Sequence, residues 1–276
     1  MSNITMAELR GPAVILSLHI ANVGVRYLPG VLRARPGPAD TPGLRYARTT
    51  FTGPVAAGPP RLRPGRAALI AAWEDDTALD RFLASSPLAR QLADGWLVRL
   101  RPVRVAGAWG PLPVRTDPAA DAALTEEDGP VAVLTLGRLR LRRALPFLHA
   151  SSSASGRAAA DPALVASLAM ARPPRTVGTF SLWRSVSAMR QYAYGSAGPQ
   201  HRNAVREHQA DPFHHEAAFL RCRPYGARGL LDGREPVTAA SVSSASASAA
   251  SSVVPPHAPR AGEAPASFGP DPAGGS

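Results

Sequence analysis

The residue of this 276-residue chain best placed to do chemistry is His201, which follows a Gly198-Pro199 break. A lone imidazole there can hold a metal ion, or it can simply be a solvated histidine at a helix start. Upstream lie Phe180, Trp183, Tyr192 and Tyr194, which read either as core packing or as the wall of an apolar pocket. Downstream, Arg221 and Arg202 each carry a planar fork that could grip a carboxylate, or are solvated charges. His214, His215 and Glu216 supply two imidazoles and a carboxylate, the donor set of a non-haem iron site. Adjacent residues point apart on a strand, however, so the three would need a special turn to converge. His208, seven residues beyond His201, is too far along a continuous helix to share one metal with it. His19 lies in an apolar run and reads as a satisfied core or rim histidine. A nucleophile-elbow Gly-x-Ser-x-Gly and a phosphate-binding glycine loop are both absent, which removes the common hydrolase and nucleotide-binding classes.

These residues need a frame. Gly178 to Trp183 reads as a buried strand, followed by a helical run with Ala188, Met189, Tyr192 and Ala193 at steps of three and four. Earlier in the chain, strand-length runs occur at Gly11–His19, Leu44–Phe51, Ala67–Trp73 and Trp96–Arg104. A short helix interrupted at Pro29 is expected over 25–34, and Asp76 is expected to cap a helix through Leu79 and Phe82. Residues 116–128 are acidic and Pro/Ala-rich and read as a linker. From Thr238 the chain turns to Ala, Ser, Pro and Gly, a composition expected to stay disordered.

Beyond the linker the pattern starts again. Gly129-Pro130 lies 118 positions after Gly11-Pro12, pairing Leu16 with Leu134, and Pro146 lies 117 after Pro29. Pro42-Gly43-Leu44 answers to Pro162-Ala163-Leu164, and Ala67–Trp73 to Val177–Trp183. Val98–Pro102 answers to Leu220–Pro224, each with a glycine five residues after the proline, Gly107 and Gly229. The spacing predicts an α+β chain: two ferredoxin-like halves, 11–115 and 129–237, in tandem duplication. Each half would cover the open sheet face of the other, forming an intramolecular barrel-like pair. In this alignment Ala89 stands opposite His201, so the histidine is present in one copy only, as an asymmetric cofactor site requires.

Composition narrows the partners. All 31 basic residues are Arg and the net charge is +11, yet the arginines are spread along the chain and no nucleic-acid motif accompanies them. The densest run, Arg138–Arg143, alternates with leucine like a strand with one solvated face. A single cysteine, Cys222, rules out an intrachain disulfide and fits a reducing cytoplasm. With no signal-peptide pattern and no apolar run of about 20 residues, a soluble cytoplasmic protein is expected.

The second half resembles the spheroidene monooxygenase family, carotenoid ketolase-type oxygenases and their actinobacterial relatives. The residues that carry the likeness are Thr179–Trp183, Ala188-Met189, Tyr192–Tyr194, His201–Arg206 and Phe219–Arg221, with Pro42–Ala47 in the first half. The resemblance implies a dimeric α+β-barrel type of fold and a haem-dependent monooxygenase acting on a carotenoid or another hydrophobic small molecule. It implies an external electron donor and is compatible with peripheral membrane contact. It makes His201 the axial iron ligand, gives Phe180, Trp183 and Tyr192 to the pocket wall, and sets Arg221 to pair with a haem propionate. The chain departs from the family pattern at 151–161 and 211–216, which bears on the substrate end of the site and on whether activity is retained. A non-catalytic barrel that binds a hydrophobic ligand or partner, and a cofactor-independent oxygenase, are the alternatives.

Overall fold

Residues 14–55, 61–110, 112–140, 142, 160–195 and 214–240 are described by the computed structural model. The elements are β1 (Ile15–Asn22), α1 (Leu28–Arg33), β2 (Leu44–Pro54), β3 (Arg66–Trp73), α2 (Asp76–Ser85), α3 (Pro87–Gln91) and β4 (Trp96–Gly107). They continue as α4 (Pro118–Glu127), β5 (Val131–Leu139), β6 (Leu164–Arg172), β7 (Thr176–Trp183), α5 (Val186–Arg190) with a π-helical turn (Gln191–Gly195), and β8 (His214–Arg228). The strands form a closed antiparallel barrel in the order β1-β3-β2-β6-β7-β5-β8-β4. Within it each half shows one order, β4-β1-β3-β2 and β8-β5-β7-β6. The ladders β2–β6 and β4–β8 join the halves into a single ring.

Alternation along each strand sorts the side chains. Leu16, Leu18, Ile70, Val98, Leu134, Leu168, Phe180 and Leu220 fill the inside of the barrel, with Trp96 and Phe180 meeting at 5.8 Å between ring centroids. Trp73, Leu79 and Phe82 pack outside, between the first half's strands and its helices. On the second half's outer side Trp183, Val186 and Met189 pack with Leu124 and Val131.

The ladders correct the repeat spacing for the first strands. Ile15 stands opposite Trp73, and Val131 opposite Trp183. Ile15 therefore answers to Val131, an offset of 116, and Leu16 answers to Ala132 rather than Leu134. A slip of two residues keeps each side chain on its own face, so alternation alone could not separate the two registers. The equivalences of Leu44, Ala67–Trp73 and Val98–Pro102 stand in register, while Pro146, the counterpart of Pro29, lies outside the described residues. Leu44 and Leu164 both face their tryptophan, each followed at once by a bulge. Gly107 and Gly229 both have φ near 80°, and a Cβ on either would run into a carbonyl oxygen, of Ala217 or of Gly95.

Three further expectations change. Residues 116–128 are not a plain linker, because Pro118–Glu127 is helical. Asp117 accepts from the N–H of Ala120, Pro118 occupies the first turn, and Leu124 is 1% exposed against Val103, Val131 and Trp183. Burying that one leucine contributes about 1.5–3 kcal/mol, enough to dock an Ala-rich helix that shows no apolar stripe. Asp75, not Asp76, caps α2; Asp76 bonds Arg99 and the Tyr225 hydroxyl instead. The end of the folded part moves past Val237, since residues 236–240 are helical and Ala240 is fully buried in the barrel core. Leu231, Val237 and Ala240 close one end of the barrel beside Trp96, whose indole N–H donates to Glu235. Residues 241–276 lie outside the described part. No helix among the described residues is long and apolar enough to cross a membrane.

His19 is a core histidine, 3% exposed on the outer side of β1. Ser17 Oγ accepts from the Trp73 indole N–H at 2.8 Å and lies 3.1 Å from His19 Nε2. A neutral imidazole accepting from the Ser17 hydroxyl satisfies all three groups. Burial, with Arg228 and Arg99 nearby, pushes the His19 pKa down to about 3.

Two outcomes are expected. Between pH 6.5 and about 3 the unfolded chain protonates this histidine while the folded one does not, so stability falls with pH there by up to about 1.4 kcal/mol per unit. His19→Leu should therefore lose about 2 kcal/mol less than wild type between pH 7 and pH 5 in urea unfolding; equal losses would mean His19 is not held neutral. Ending the chain after Leu230 uncovers Trp96 and should lower the melting temperature by several degrees relative to a chain ended after Ala240, a loss of about 3–5 kcal/mol. Equal midpoints would show that 231–240 does not close the barrel.

Candidate functional site

The sequence-predicted residues fall on two sides of one sheet. On β7, Phe180 and Leu182 point into the barrel, while Trp183 at the strand's end packs outside. Phe180 is fully buried, edge-on to Trp96, in the common core. It is thus separated from Trp183 by the sheet and does not share a wall with it.

Trp183 and Tyr192 do come together. Their rings lie 4.9 Å apart at 33°, and the Trp183 indole N–H donates to Ser181 Oγ at 3.0 Å. The helix that presents Tyr192 is built locally. Ser185 caps α5 by accepting from the N–H of Ala188, and Val186 and Met189 turn inward beneath it. Asp128, in the left-handed region at φ 45°, accepts from both the backbone N–H and the hydroxyl of Ser187 at 2.6 Å. This ties α5 to the end of α4. From Gln191 to Gly195 the helix opens into a π turn, which widens the backbone beside the aromatic pair. Such turns often mark functional positions.

Arg221 lies on the same outer side, from β8. Its Nη1 donates to Asp121 Oδ1 at 2.8 Å, and Arg104 approaches the other carboxylate oxygen at 3.7 Å. Arg221 and Asp121 are only 11% and 16% exposed, so the pair is largely desolvated. Asp121 was hidden from sequence reading inside the supposed linker. The signal that could have found it is Asp117-Pro118 followed by alanines and an acidic first turn, the pattern of a capped helix start. Half-exposed Phe219 lies two residues before Arg221 on the same face of β8.

His214, His215 and Glu216 do not converge, because a bulge between the Arg138–Glu216 and Leu139–His214 pairings breaks the alternation that would put His214 and Glu216 on one face. His214 packs against Gly137, and Glu216 pairs with Arg138. Among the described residues no three His, Cys, Asp or Glu side chains gather as metal ligands. His201, His208 and Arg202 lie outside the described residues. Cys222 is fully buried in the barrel, and burial pushes its thiol up to about 12, so it is inert as a nucleophile.

No protein-family model matches the chain. It is 33% identical over 201 residues to the spheroidene monooxygenase of Rubrivivax gelatinosus, covering 70% of this chain and 73% of that protein. It is 28% identical over 212 residues to the spheroidene monooxygenase of Cereibacter sphaeroides, covering 74% of this chain and 60% of that one. Among solved structures, an aldoxime dehydratase aligns over 82% of this chain and 87% of its own at a TM-score of 0.47 and 10% identity, a likeness too distant to bear on chemistry.

The Arg221–Asp121 contact makes a sharp test of what holds the outer layer. Asp121→Asn leaves two guanidiniums facing a neutral amide and should cost about 1–3 kcal/mol in urea unfolding. A change within a few tenths of a kcal/mol would mean that Arg221 is free to serve another anion.

Proposed function

The chain belongs to the spheroidene monooxygenase family and is an oxidoreductase of the monooxygenase class; on that premise we propose that it is a haem-dependent enzyme that oxygenates a carotenoid or a comparable hydrophobic polyene. The observation that carries this reading is the 33% identity to the R. gelatinosus spheroidene monooxygenase over nearly three-quarters of that protein.

The described residues supply part of what such a group needs. Tyr192 is partly exposed, backed by the buried Trp183 at 33°, and offers an aromatic wall with the π turn beside it. The exposed half of Phe219 and the small residues Thr179 and Ser181 leave the adjoining sheet surface shallow, a shape that suits a planar or extended apolar ligand. Of the described imidazoles, His19 is bonded to Ser17 in a buried core and His214 packs on Gly137, which leaves His215, exposed on β8. In this reading His201 would hold the iron. Arg221 would meet an acidic edge of the group only by sharing its fork with Asp121. When bound, haem supplies the oxygen activation that side chains cannot. The protein's part is to orient the polyene along the aromatic wall and keep water from it, while an external donor supplies electrons.

The repeated strand order, the paired bulges and the paired left-handed glycines support reading the chain as a tandem duplication of a ferredoxin-like unit, with the cofactor in the second copy. The single cysteine supports a cytoplasmic location.

The test is spectroscopic. Full-length protein produced with ample haem should show an intense Soret band. His201→Ala should fold yet carry little haem or a shifted band, while His208→Ala and His214→Ala keep the wild-type spectrum. A colourless wild-type protein that still oxygenates its substrate would point to a cofactor-independent oxygenase. An unchanged spectrum in His201→Ala would remove that residue from the iron.

A further inference from the structure

The barrel end opposite the one closed by Leu231 and Ala240 is ringed by charge. Three ladders place one row of residues across it. Arg172 on β6 stands opposite Thr176 on β7, Thr176 opposite Arg138 on β5, and Arg138 opposite Glu216 on β8. All follow interior residues by even steps: Leu168 and Met170 precede Arg172, and Leu134 and Leu136 precede Arg138. On β2, which borders β6, Tyr46 faces the same interior and Arg48 follows it by two.

These cations are not treated alike. Arg138 has a counter-ion, its Nε donating to Glu216 at 3.1 Å, and the same carboxylate accepts from the N–H of Gly110. Arg48 and Arg172 have no carboxylate partner among the described residues. Arg48 donates to the Tyr46 hydroxyl at 3.1 Å and lies 5.9 Å from the centre of the Trp109 ring. Arg172 donates through Nη1 to the carbonyl and hydroxyl oxygens of Thr49, at 2.8 and 2.7 Å. Every one of those partners is neutral. Burial, then the positive charges of Arg48 and Arg35, push the Arg172 pKa down.

A second, independent observation lies beneath them. Thr50 is 1% exposed, and its hydroxyl has no hydrogen-bond partner. It sits on the interior-facing side of β2, two residues from Arg48, and one step beyond the Phe51–Ala171 pairing sets it beside Arg172. A buried hydroxyl left unpaired is destabilising, and guanidiniums near one another, with no anion among the described residues, repel more strongly where solvent is excluded. One ligand relieves both.

We propose that Arg48, Arg172 and Thr50 form an oxyanion site at this end of the barrel, taking a carboxylate or phosphate group. Planar forks held by neutral partners match the two-oxygen edge of such a group, and the Thr50 hydroxyl donates to it from below. The site lies across the sheet from Trp183 and Tyr192 and is independent of the oxygenation reading. It gives the protein a place to hold either a free anionic metabolite or the phosphate of a lipid headgroup.

Inorganic phosphate is the first probe, used on the full chain with sodium chloride at matched ionic strength as the reference. Wild type should gain several degrees of melting temperature in phosphate over chloride. Arg172→Gln should weaken phosphate binding at least tenfold by calorimetry. Thr50→Val should weaken it as well while leaving the ligand-free protein as stable or more so, which separates lost binding from lost folding. Flotation with phosphatidylglycerol vesicles, against phosphatidylcholine, tells a lipid phosphate from a free one, and in that arm too Arg172→Gln should abolish the difference. Equal midpoints in phosphate and chloride together with equal flotation on the two lipids overturn the proposal. So does phosphate binding that survives both Arg172→Gln and Thr50→Val.

Discussion

Ring closure is the constraint on which everything else in this molecule depends. Strands β2 and β4 would each be an open edge of a four-stranded sheet, and β6 and β8 the edges of another. Joined as β2–β6 and β4–β8, every strand has a neighbour on both sides, although the β2–β6 ladder pairs only Phe51–Pro54 with Leu168–Ala171. Closure also fixes the meaning of alternation. Every second side chain is committed to a common interior shared by both halves, so Trp96 from one half and Phe180 from the other meet there. A residue cannot then serve the interior and the outer layer at once, and this is why Phe180 and Trp183, three positions apart, belong to different environments.

The two outer layers are not equivalent. All eight residues of β3 are buried, and the outward-facing ones lie under α1, α2 and α3. On the second half, α4, a helix borrowed from the connection between halves, covers part of the surface. The remaining described cover is short: α5 spans five residues before the backbone loosens into its π turn. The repeated frame thus carries one closed layer and one with aromatic and half-exposed surface beside an ion pair.

Much of this was legible from residue order, and the failures have physical causes. Strand positions were readable because β3 is a continuous apolar run of strand length and β4 interleaves arginine with apolar residues, and Trp73 and Trp183 anchor matching ends. The first-strand offset was wrong by two because the pleat repeats every two residues and cannot distinguish registers that far apart. Helix α4 was invisible as a helix because its docking rests on one leucine and a cap rather than a stripe. Ala240 gave no signal because a small residue among alanines and serines carries no periodicity. At the candidate site, the Trp183–Tyr192 pair was within reach of local spacing, while the partner of Arg221 lies 100 residues away and only tertiary structure identifies it. The buried hydroxyl of Thr50 is likewise a property of its neighbours, not of its own sequence context.

The β4–β8 ladder has a consequence for the chain as it is made. Strand β4 ends at Gly107, and β8 begins at His214, more than a hundred residues later. At ribosomal rates of about 5–20 residues per second, the first half waits about 5–20 seconds for its partner strands. During that interval two long strand edges and the concave face of Leu16, Ile70 and Val98 are open to other nascent chains. Pairings this distant in sequence also form slowly. Yield in a living cell is therefore governed by the race between translation and self-association, and slower growth or a holding chaperone acts on that race without touching the finished barrel.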